Sequence, residues 1–272
     1  MTPVLYVRVI LCLCLTGFLP FIKAQATTIV TLSPHLTEWV YSLGQQEQLL
    51  AVSAHSDYPL QAAKLPVVAD YNGVDIKAIV RLNPDLILAW DGGNKPQDIA
   101  RLKALGFNVF LSSPRKPADI SREIRRLATQ LGVSDAAEAV TRPFDEGLEG
   151  LQEQYQQRPF TKVFYYMWAQ PLMTIGSAAW ANSLLSVCGA DTVFSDSPVA
   201  YPQVSIQEVI RRQPSFIIAA SGRPLSAEKA FWDSHRSVLD TPLIQVNPDI
   251  TSRFTLRLLP ELTRICEALH PA

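Results

Sequence analysis

The hydrophobic pattern of residues 71–94 predicts a helix, a turn, a buried strand and a glycine-rich exit, in that order. Asp75 is placed to cap a helix whose apolar positions then recur at helical spacing up to Leu82. Pro84 ends the helix because proline lacks a backbone N–H. The apolar run after it is typical of a parallel strand covered on both faces. Trp90 therefore stands at the carboxyl end of a strand, where open α/β sheets bind ligands.

The same pattern returns at residues 204–219, which align with residues 74–89 at an offset of 130 positions. Six of the sixteen aligned residues are identical. Ser205 occupies the position of the capping Asp75. Repetition of a whole helix–strand unit indicates an internal duplication, so we expect two similar lobes.

Strand and helix patterns alternate along both halves, which predicts an α/β fold with mainly parallel central sheets flanked by helices. We expect an N-terminal lobe at 27–133, one long connecting helix at 134–157 and a C-terminal lobe at 158–272. Pro143 predicts a kink in the connector. A helical spacer is stiff, so we expect little hinge closure and a ligand site in the cleft between the lobes.

Residues 1–26 have the features of a cleaved secretory signal, which predicts an exported protein. Arg8 provides the positive charge, residues 9–22 are apolar, and Ala24-Gln25-Ala26 is a cleavage pattern. The apolar run is too short for a membrane anchor and contains a proline. In an exported chain the two mature cysteines, Cys188 and Cys266, predict a disulfide; two buried free thiols are the alternative.

The composition disfavours nucleic-acid binding, because the formal net charge is only -1 and no basic stretch stands out. None of the four histidines pairs at metal-ligand spacing, and the chain lacks a nucleophile elbow or a phosphate-binding loop. We therefore predict no metal, no cofactor and no enzyme. A secreted hydrolase using Asp57, Asp91 and Asp249 stays open as an alternative.

Aromatic side chains mark the predicted loops: Tyr71, Trp90, Trp168 and Tyr201. Tyr71 and Tyr201 each precede a repeated helix, so we expect them to face each other across the cleft. Such aromatic walls suit a large, flat, apolar ligand. For Trp168, which we place in a loop at residues 168–171, both the cleft and the core remain open.

Several segments resemble the cobalamin (vitamin B12) branch of the helical-backbone, class III substrate-binding proteins of ABC importers. They are TLSPHLTEWVYSLG, SDYP, NPDLILAWDGGN, YPQVS and CGAD. The resemblance covers nearly the whole mature chain, although the NPDLILAW block alone is shared with haem and siderophore binding proteins. It implies a periplasmic monomer that captures cobalamin or a related corrinoid as cargo and delivers it to a permease dimer with its ATPase subunits.

The resemblance also implies ligand-facing positions: His55, Tyr71, Trp90, Tyr201, Asp249, Ile250, Thr251, Ser252 and Arg253. The family usually has tyrosine at position 55 and tryptophan at positions 71 and 201. A neutral imidazole at His55 can ligate cobalt. The alternatives are a hydrogen bond to the corrin amides or a solvent-facing histidine.

Family members dock to the permease through one glutamate on each lobe, and Lys77 and Gln207 stand at those positions here. The nearby Asp75 and Glu208 are candidate replacements. A haem or siderophore receptor is the alternative of the same class. A siderophore site needs arginines to bind anionic groups, and the predicted openings of the two lobes contain only Arg253.

Overall fold

The repeated helix–strand units lie in two α/β lobes of a computed structural model, which describes residues 27–271. The predicted signal segment at 1–26 lies outside the described residues. The N-terminal strands are β1 (Ile29–Thr31), β2 (Leu49–Ser53), β3 (Val67–Asp70), β4 (Gly73–Val74), β5 (Leu86–Trp90) and β6 (Val109–Ser112). The helices of this lobe are α1 (Pro34–Ser42), α2 (Ile76–Leu82), α3 (Pro96–Ala104) and α4 (Ala118–Leu131).

The connecting helix is α5 (Ser134–Tyr155). The C-terminal strands are β7 (Thr161–Ala169), β8 (Leu172–Thr174), β9 (Ala190–Thr192), β10 (Phe216–Ala219) and β11 (Leu243–Gln245). The helices are α6 (Trp180–Val187), α7 (Ile206–Arg212), α8 (Leu225–Asp233), α9 (Pro248–Thr251) and α10 (Leu258–Leu269). No helix within residues 27–271 is both long and apolar enough to cross a bilayer.

Both sheets are mainly parallel, which confirms the predicted fold class. The N-terminal sheet has the order β4-β3-β2-β1-β5-β6, and the pair β3–β4 is antiparallel. The C-terminal sheet has the order β11-β10-β7-β8, with β9 also beside β7, and the pair β7–β8 is antiparallel. One apolar core runs across both lobes through α1, α4, α5 and α10, and a separate cluster covers the other face of each sheet.

The two repeated units fold alike because their local chemistry is alike. The Asp75 carboxylate accepts a bond from the backbone N–H of Ala78 at 2.9 Å. The Ser205 hydroxyl accepts one from the N–H of Glu208 at 3.2 Å. Helices α2 and α7 both end on a left-handed residue before the proline. Both caps were predicted from the sequence and are confirmed.

Pro143 does not interrupt α5, because buried side chains on either side of it pack into the core and hold the helix. The predicted kink at this proline stays a prediction. The predicted loop at 168–171 is wrong: β7 continues to Ala169 and forms a hairpin with β8. The predicted ligand positions Asp249, Ile250 and Thr251 lie on the short helix α9, which the Asn247 side chain caps at 2.9 Å.

The disulfide between Cys188 and Cys266 is present and joins the end of α6 to α10. Both cysteines are fully buried. The bond closes a loop with a sequence separation of 78 residues, which in the chain-entropy model contributes about 4 kcal/mol. It ties the last helix to the body of the C-terminal lobe.

The lobes meet where the buried carboxylate of Glu38, on α1, faces the segment 253–257 of the C-terminal lobe; we call this contact the lobe junction. Arg257 donates two bonds to Glu38 at 2.8 and 2.6 Å, and Arg253 donates a third at 3.3 Å. The Trp39 indole N–H donates to the backbone carbonyl of Phe254 at 2.7 Å. A buried charge needs its partners, so this junction holds the lobes in register.

We expect Arg257→Ala to destabilise the protein by about 3 kcal/mol, because it removes the main partner of a buried carboxylate. Urea unfolding measures the change. Arg142→Ala is the matched control, since Arg142 and Glu146 form an exposed pair at 4.0 Å that is worth about 0–1 kcal/mol. Equal losses in the two variants would show that Glu38 is adequately held by Arg253 alone.

Candidate functional site

A pocket of about 170 Å³ opens at the carboxyl ends of β1, β2 and β5. Its lining includes three of the predicted ligand residues, His55, Tyr71 and Trp90. These residues are far apart in sequence and converge because parallel strands end at one edge of the sheet. The full lining is Leu32, Ser33, Pro34, Ser53, Ala54, His55, Asp70, Tyr71, Trp90, Gly93 and Asn94.

The glycines after Trp90 determine where its indole lies. A Cβ placed on Gly93 would come within 1.8 Å of the Trp90 ring, so the ring is folded flat onto this residue. The Asn94 side chain closes the loop with two hydrogen bonds of 2.8 Å. It accepts one from the backbone N–H of Trp90 and donates one to the backbone carbonyl of Leu32. The WDGGN sequence therefore serves to orient one tryptophan.

The other side of the indole meets the opposite lobe. Trp90 lies edge-on to Phe254 with ring centroids 5.2 Å apart, and edge-on to His35 at 5.6 Å. Phe254 also contacts the Trp180 ring at 4.5 Å. Sequence reasoning missed His35 and Phe254, because residues 35 and 254 become neighbours only when the lobes assemble.

His35 is a buried, neutral member of this aromatic cluster. Its Nδ1 lies 2.8 Å from the Ser33 hydroxyl, and its Nε2 lies 3.4 Å from the hydroxyl of Ser112. Burial lowers its pKa from 6.5 to about 3, since a charged imidazole would lose its hydration. The ring therefore acts as a packing surface behind Trp90.

Tyr71 and His55 present open surfaces to the pocket. Tyr71 sits in the turn between β3 and β4 and is 90% exposed. His55 is exposed and has a left-handed backbone, with φ of 62°. An aromatic ring left so exposed at a sheet edge is typical of a surface that binds something apolar.

The predicted ligand residues of the C-terminal lobe do not share one environment. Tyr201 is 47% exposed, and Asp249 and Ser252 are also exposed, whereas Ile250 is half-buried. Thr251 is only 1% exposed. Its backbone carbonyl accepts a bond from Trp180 at 2.8 Å, and its hydroxyl donates to the Asn247 carbonyl at 3.0 Å. Thr251 is held inside the lobe and supports α9.

Arg253 bridges the two lobes beside the pocket. Its guanidinium donates to Asp57 of the N-terminal lobe at 2.6 Å and to Asp249 at 3.5 Å, besides its bond to Glu38. The hydrogen bond from Arg253 lowers the pKa of the Asp57 carboxyl. Asp57 therefore stays ionised near neutral pH.

The third carboxylate considered for a hydrolase, Asp91, accepts a bond from the Ser113 hydroxyl at 3.2 Å and faces Arg115 at 3.7 Å. Within residues 27–271 no group of three or more His, Cys, Asp or Glu side chains is arranged to hold a metal ion.

Two similar α/β lobes joined by one helix, with an aromatic pocket at the inner edge of a sheet, define a two-lobed ligand-binding protein. The chain belongs to the periplasmic binding protein family, whose model matches residues 29–239.

Relatives cover nearly its whole length. The chain is 38% identical to the vitamin B12-binding protein of Pectobacterium carotovorum subsp. carotovorum (strain PC1) over 260 residues, 94% of this chain and 93% of the relative. It is 33% identical to the vitamin B12-binding protein of Vibrio cholerae serotype O1 (strain M66-2) over 276 residues, 98% of this chain and 99% of the relative.

Solved structures agree with this membership. The periplasmic vitamin B12 binding protein BtuF of Vibrio cholerae superposes with a TM-score of 0.83 at 33% identity, covering 90% of this chain and 96% of its own. A periplasmic haem binding protein from Pseudomonas aeruginosa superposes with a TM-score of 0.77 at 19% identity, covering 90% of this chain and 93% of that protein. At that identity the second likeness shows the fold alone.

We expect acid to destabilise the protein partly through His35. Its folded pKa of about 3 lies below its ordinary value of 6.5, so the unfolded chain takes up the proton first as the pH falls. Stability is thus lost between roughly pH 6.5 and 3, and about 2 kcal/mol disappears between pH 7 and 5.

His35→Gln should remove that part of the loss, which urea unfolding at pH 7 and pH 5 measures. His55→Gln is the control, because it makes the same substitution at an exposed histidine. If the His35 variant loses as much stability between pH 7 and pH 5 as the parent protein does, the buried imidazole is not the acid-sensitive group.

Proposed function

We propose that this protein captures cobalamin, or a related corrinoid, in the periplasm and delivers it to the permease of an ABC importer. One observation carries the proposal. The pocket presents the rings of Tyr71 and Trp90 at a sheet edge, in a chain 38% identical over 94% of its length to a protein named vitamin B12-binding protein. A corrin is large, flat and apolar on its faces, and such ligands stack on aromatic rings.

The charges beside the pocket favour a neutral ligand over an anionic one. Arg253 and Arg257 face the three carboxylates of Glu38, Asp57 and Asp249, so the cluster carries a formal charge of -1. The carboxylates of haem, or the anionic groups of a ferric siderophore, would be repelled there. The carboxamide side chains of a corrin carry no charge and can accept hydrogen bonds.

A catalytic role gains no support from the carboxylates. Asp57 and Asp249 are bound to Arg253, and a general base poised near neutral pH needs a raised pKa. The Asp57 pKa is lowered instead. We therefore propose a binding protein without enzymatic activity, working as a monomer after removal of the signal segment.

In this proposal Trp90 and Tyr71 stack on the corrin from one lobe. Tyr201 and the exposed Asp249 and Ser252 contact it from the other. His55 lines the same pocket and either ligates cobalt or bonds to a corrin amide. An absorption spectrum of the bound ligand that is the same in His55→Phe would exclude cobalt ligation.

The partner permease must accept docking faces without a free glutamate. Lys77 and Gln207 are both exposed, each on the first turn of a repeated helix. Neither nearby acid is a ready replacement. Asp75 is engaged as a helix cap. Arg211 and Arg212 both bind Glu208 and lower its pKa to about 2.

We expect weak docking to a cobalamin permease whose own binding protein carries glutamates at these two positions. The double variant Lys77→Glu/Gln207→Glu should bind that permease in detergent about tenfold more tightly, since electrostatic complementarity sets partner choice. Lys229→Glu/Gln152→Glu makes the same charge change elsewhere on the surface and should have no such effect. Equal affinity in both double variants would mean that these positions do not dock.

The first test of the ligand is a cobalamin titration of the chain from Thr27 onward, followed by total tryptophan fluorescence. We expect saturable one-to-one quenching at sub-micromolar cobalamin. Trp90→Ala should weaken the affinity by about 2 kcal/mol, the usual cost of removing an aromatic anchor, and Trp90→Phe by less. No saturation at tens of micromolar would reject cobalamin, and haem and ferric siderophores would be tested next.

A further inference from the structure

Trp168 is the most exposed of the five tryptophans, with 64% of its surface open to solvent. Trp39 and Trp232 are buried, and the remaining two are half-buried against other rings. Trp168 lies near the carboxyl end of β7, where its backbone pairs with Met173 of β8 in a hairpin. A rigidly held but uncovered indole is a large apolar surface that is available to a ligand.

The duplication shows which edge Trp168 occupies. Ile29 pairs with Leu86 in the N-terminal sheet, and Val163 pairs with Phe216 in the C-terminal sheet. Because Leu86 and Phe216 are separated by the repeat offset, Val163 is the equivalent of Ile29. Counted five residues further along the chain, across a register shift in β7, Trp168 corresponds to Pro34, which lines the pocket of the N-terminal lobe.

The two lobes differ in the path of the chain beyond these equivalent strands. After β1 the chain turns at once into α1, and Pro34 begins that helix. After the equivalent point in β7 the chain stays extended to Ala169 before turning into β8. The extension carries a tryptophan to the sheet edge where the other lobe has only a proline ring.

Strand register places Trp168 beside the segment that carries Tyr201. Trp168 pairs with Met173 of β8, and Met173 pairs with Gln203 on its other side. Directly paired residues point to the same face. Trp168, Met173 and Gln203 therefore share one face of this sheet edge, and Tyr201 lies in a bend two residues before Gln203.

We infer that Trp168 is a further ligand-contacting residue, which supplies the C-terminal lobe with an indole wall opposite Trp90 and Tyr71. This inference rests on the proposed corrinoid function. Met173 lies beside Trp168 as a polarizable neighbour, and Tyr201 continues the wall. The indole offers a flat apolar face to the corrin rim and an N–H that can donate to one of its amide oxygens.

Cobalamin affinity of the mature chain tests the inference, by the same fluorescence titration. Trp168→Ala should weaken binding at least tenfold, as expected for an aromatic hot spot, and Trp168→Phe by about threefold or less. Phe160→Ala is the matched control, because Phe160 is 61% exposed and lies just before the opposite end of β7. It should change the affinity less than twofold.

Incorporation of 5-fluorotryptophan gives a second readout that does not depend on affinity. The ¹⁹F resonance of Trp168, assigned by its absence in Trp168→Phe, should shift on saturation with cobalamin. The resonance of Trp232, buried in the same lobe, should move much less.

The outcomes separate the two proposals. If the parent protein does not bind cobalamin, the proposed function fails and this inference fails with it. If the parent binds but Trp168→Ala binds equally well and the Trp168 resonance does not shift, the proposed function stands and the inference is wrong. An equal loss in Phe160→Ala would also overturn it, because the effect would then come from any exposed aromatic residue on this strand.

Discussion

The buried carboxylate of Glu38 constrains the whole arrangement, because a charge removed from water must find its partners inside the protein. Its partners, Arg253 and Arg257, belong to the other lobe. Meeting them brings Phe254, which lies between these two arginines in sequence, into contact with Trp90 and His35. Trp90 in the N-terminal lobe therefore contacts Phe254 as a result of the ion pairs that Glu38 makes with the C-terminal lobe.

This coupling has a consequence for motion. Separating the lobes at the junction would leave Glu38 without its arginines and uncover the aromatic rings packed on Phe254. The continuous helix α5 adds stiffness beside it. A wide hinge movement would have to break these contacts, whereas the rings of Tyr71, Tyr201 and Trp168 are exposed without it.

Local chemistry made part of this structure predictable. The helix caps Asp75 and Ser205, the prolines that end the helices and the apolar strands are signals that lie within a few residues of one another. Each signal occurs in both repeated units. The disulfide could be predicted from the export signal and an even number of cysteines. The junction was not predictable in this way, since Glu38 and Arg257 are 219 positions apart. Helical spacing gave no signal either, since Glu38 lies on the side of α1 opposite Leu36 and Val40, where an acidic residue is ordinarily solvated. The extension of β7 was missed because Pro171 resembles the start of a loop and instead forms the turn of a hairpin.

Arg253 holds the lobes together and, in the proposed function, would also contact the ligand. A guanidinium has five N–H donors in a fixed plane, and within residues 27–271 the bonds to Glu38, Asp57 and Asp249 use three of them. The other donors can serve a carbonyl oxygen, which can bind without displacing a carboxylate. An anionic ligand would instead have to compete with Asp57 and Asp249 for the same positive charge. In the proposed function the arrangement would therefore favour a neutral acceptor such as a carboxamide, through the same contacts that hold the two lobes together.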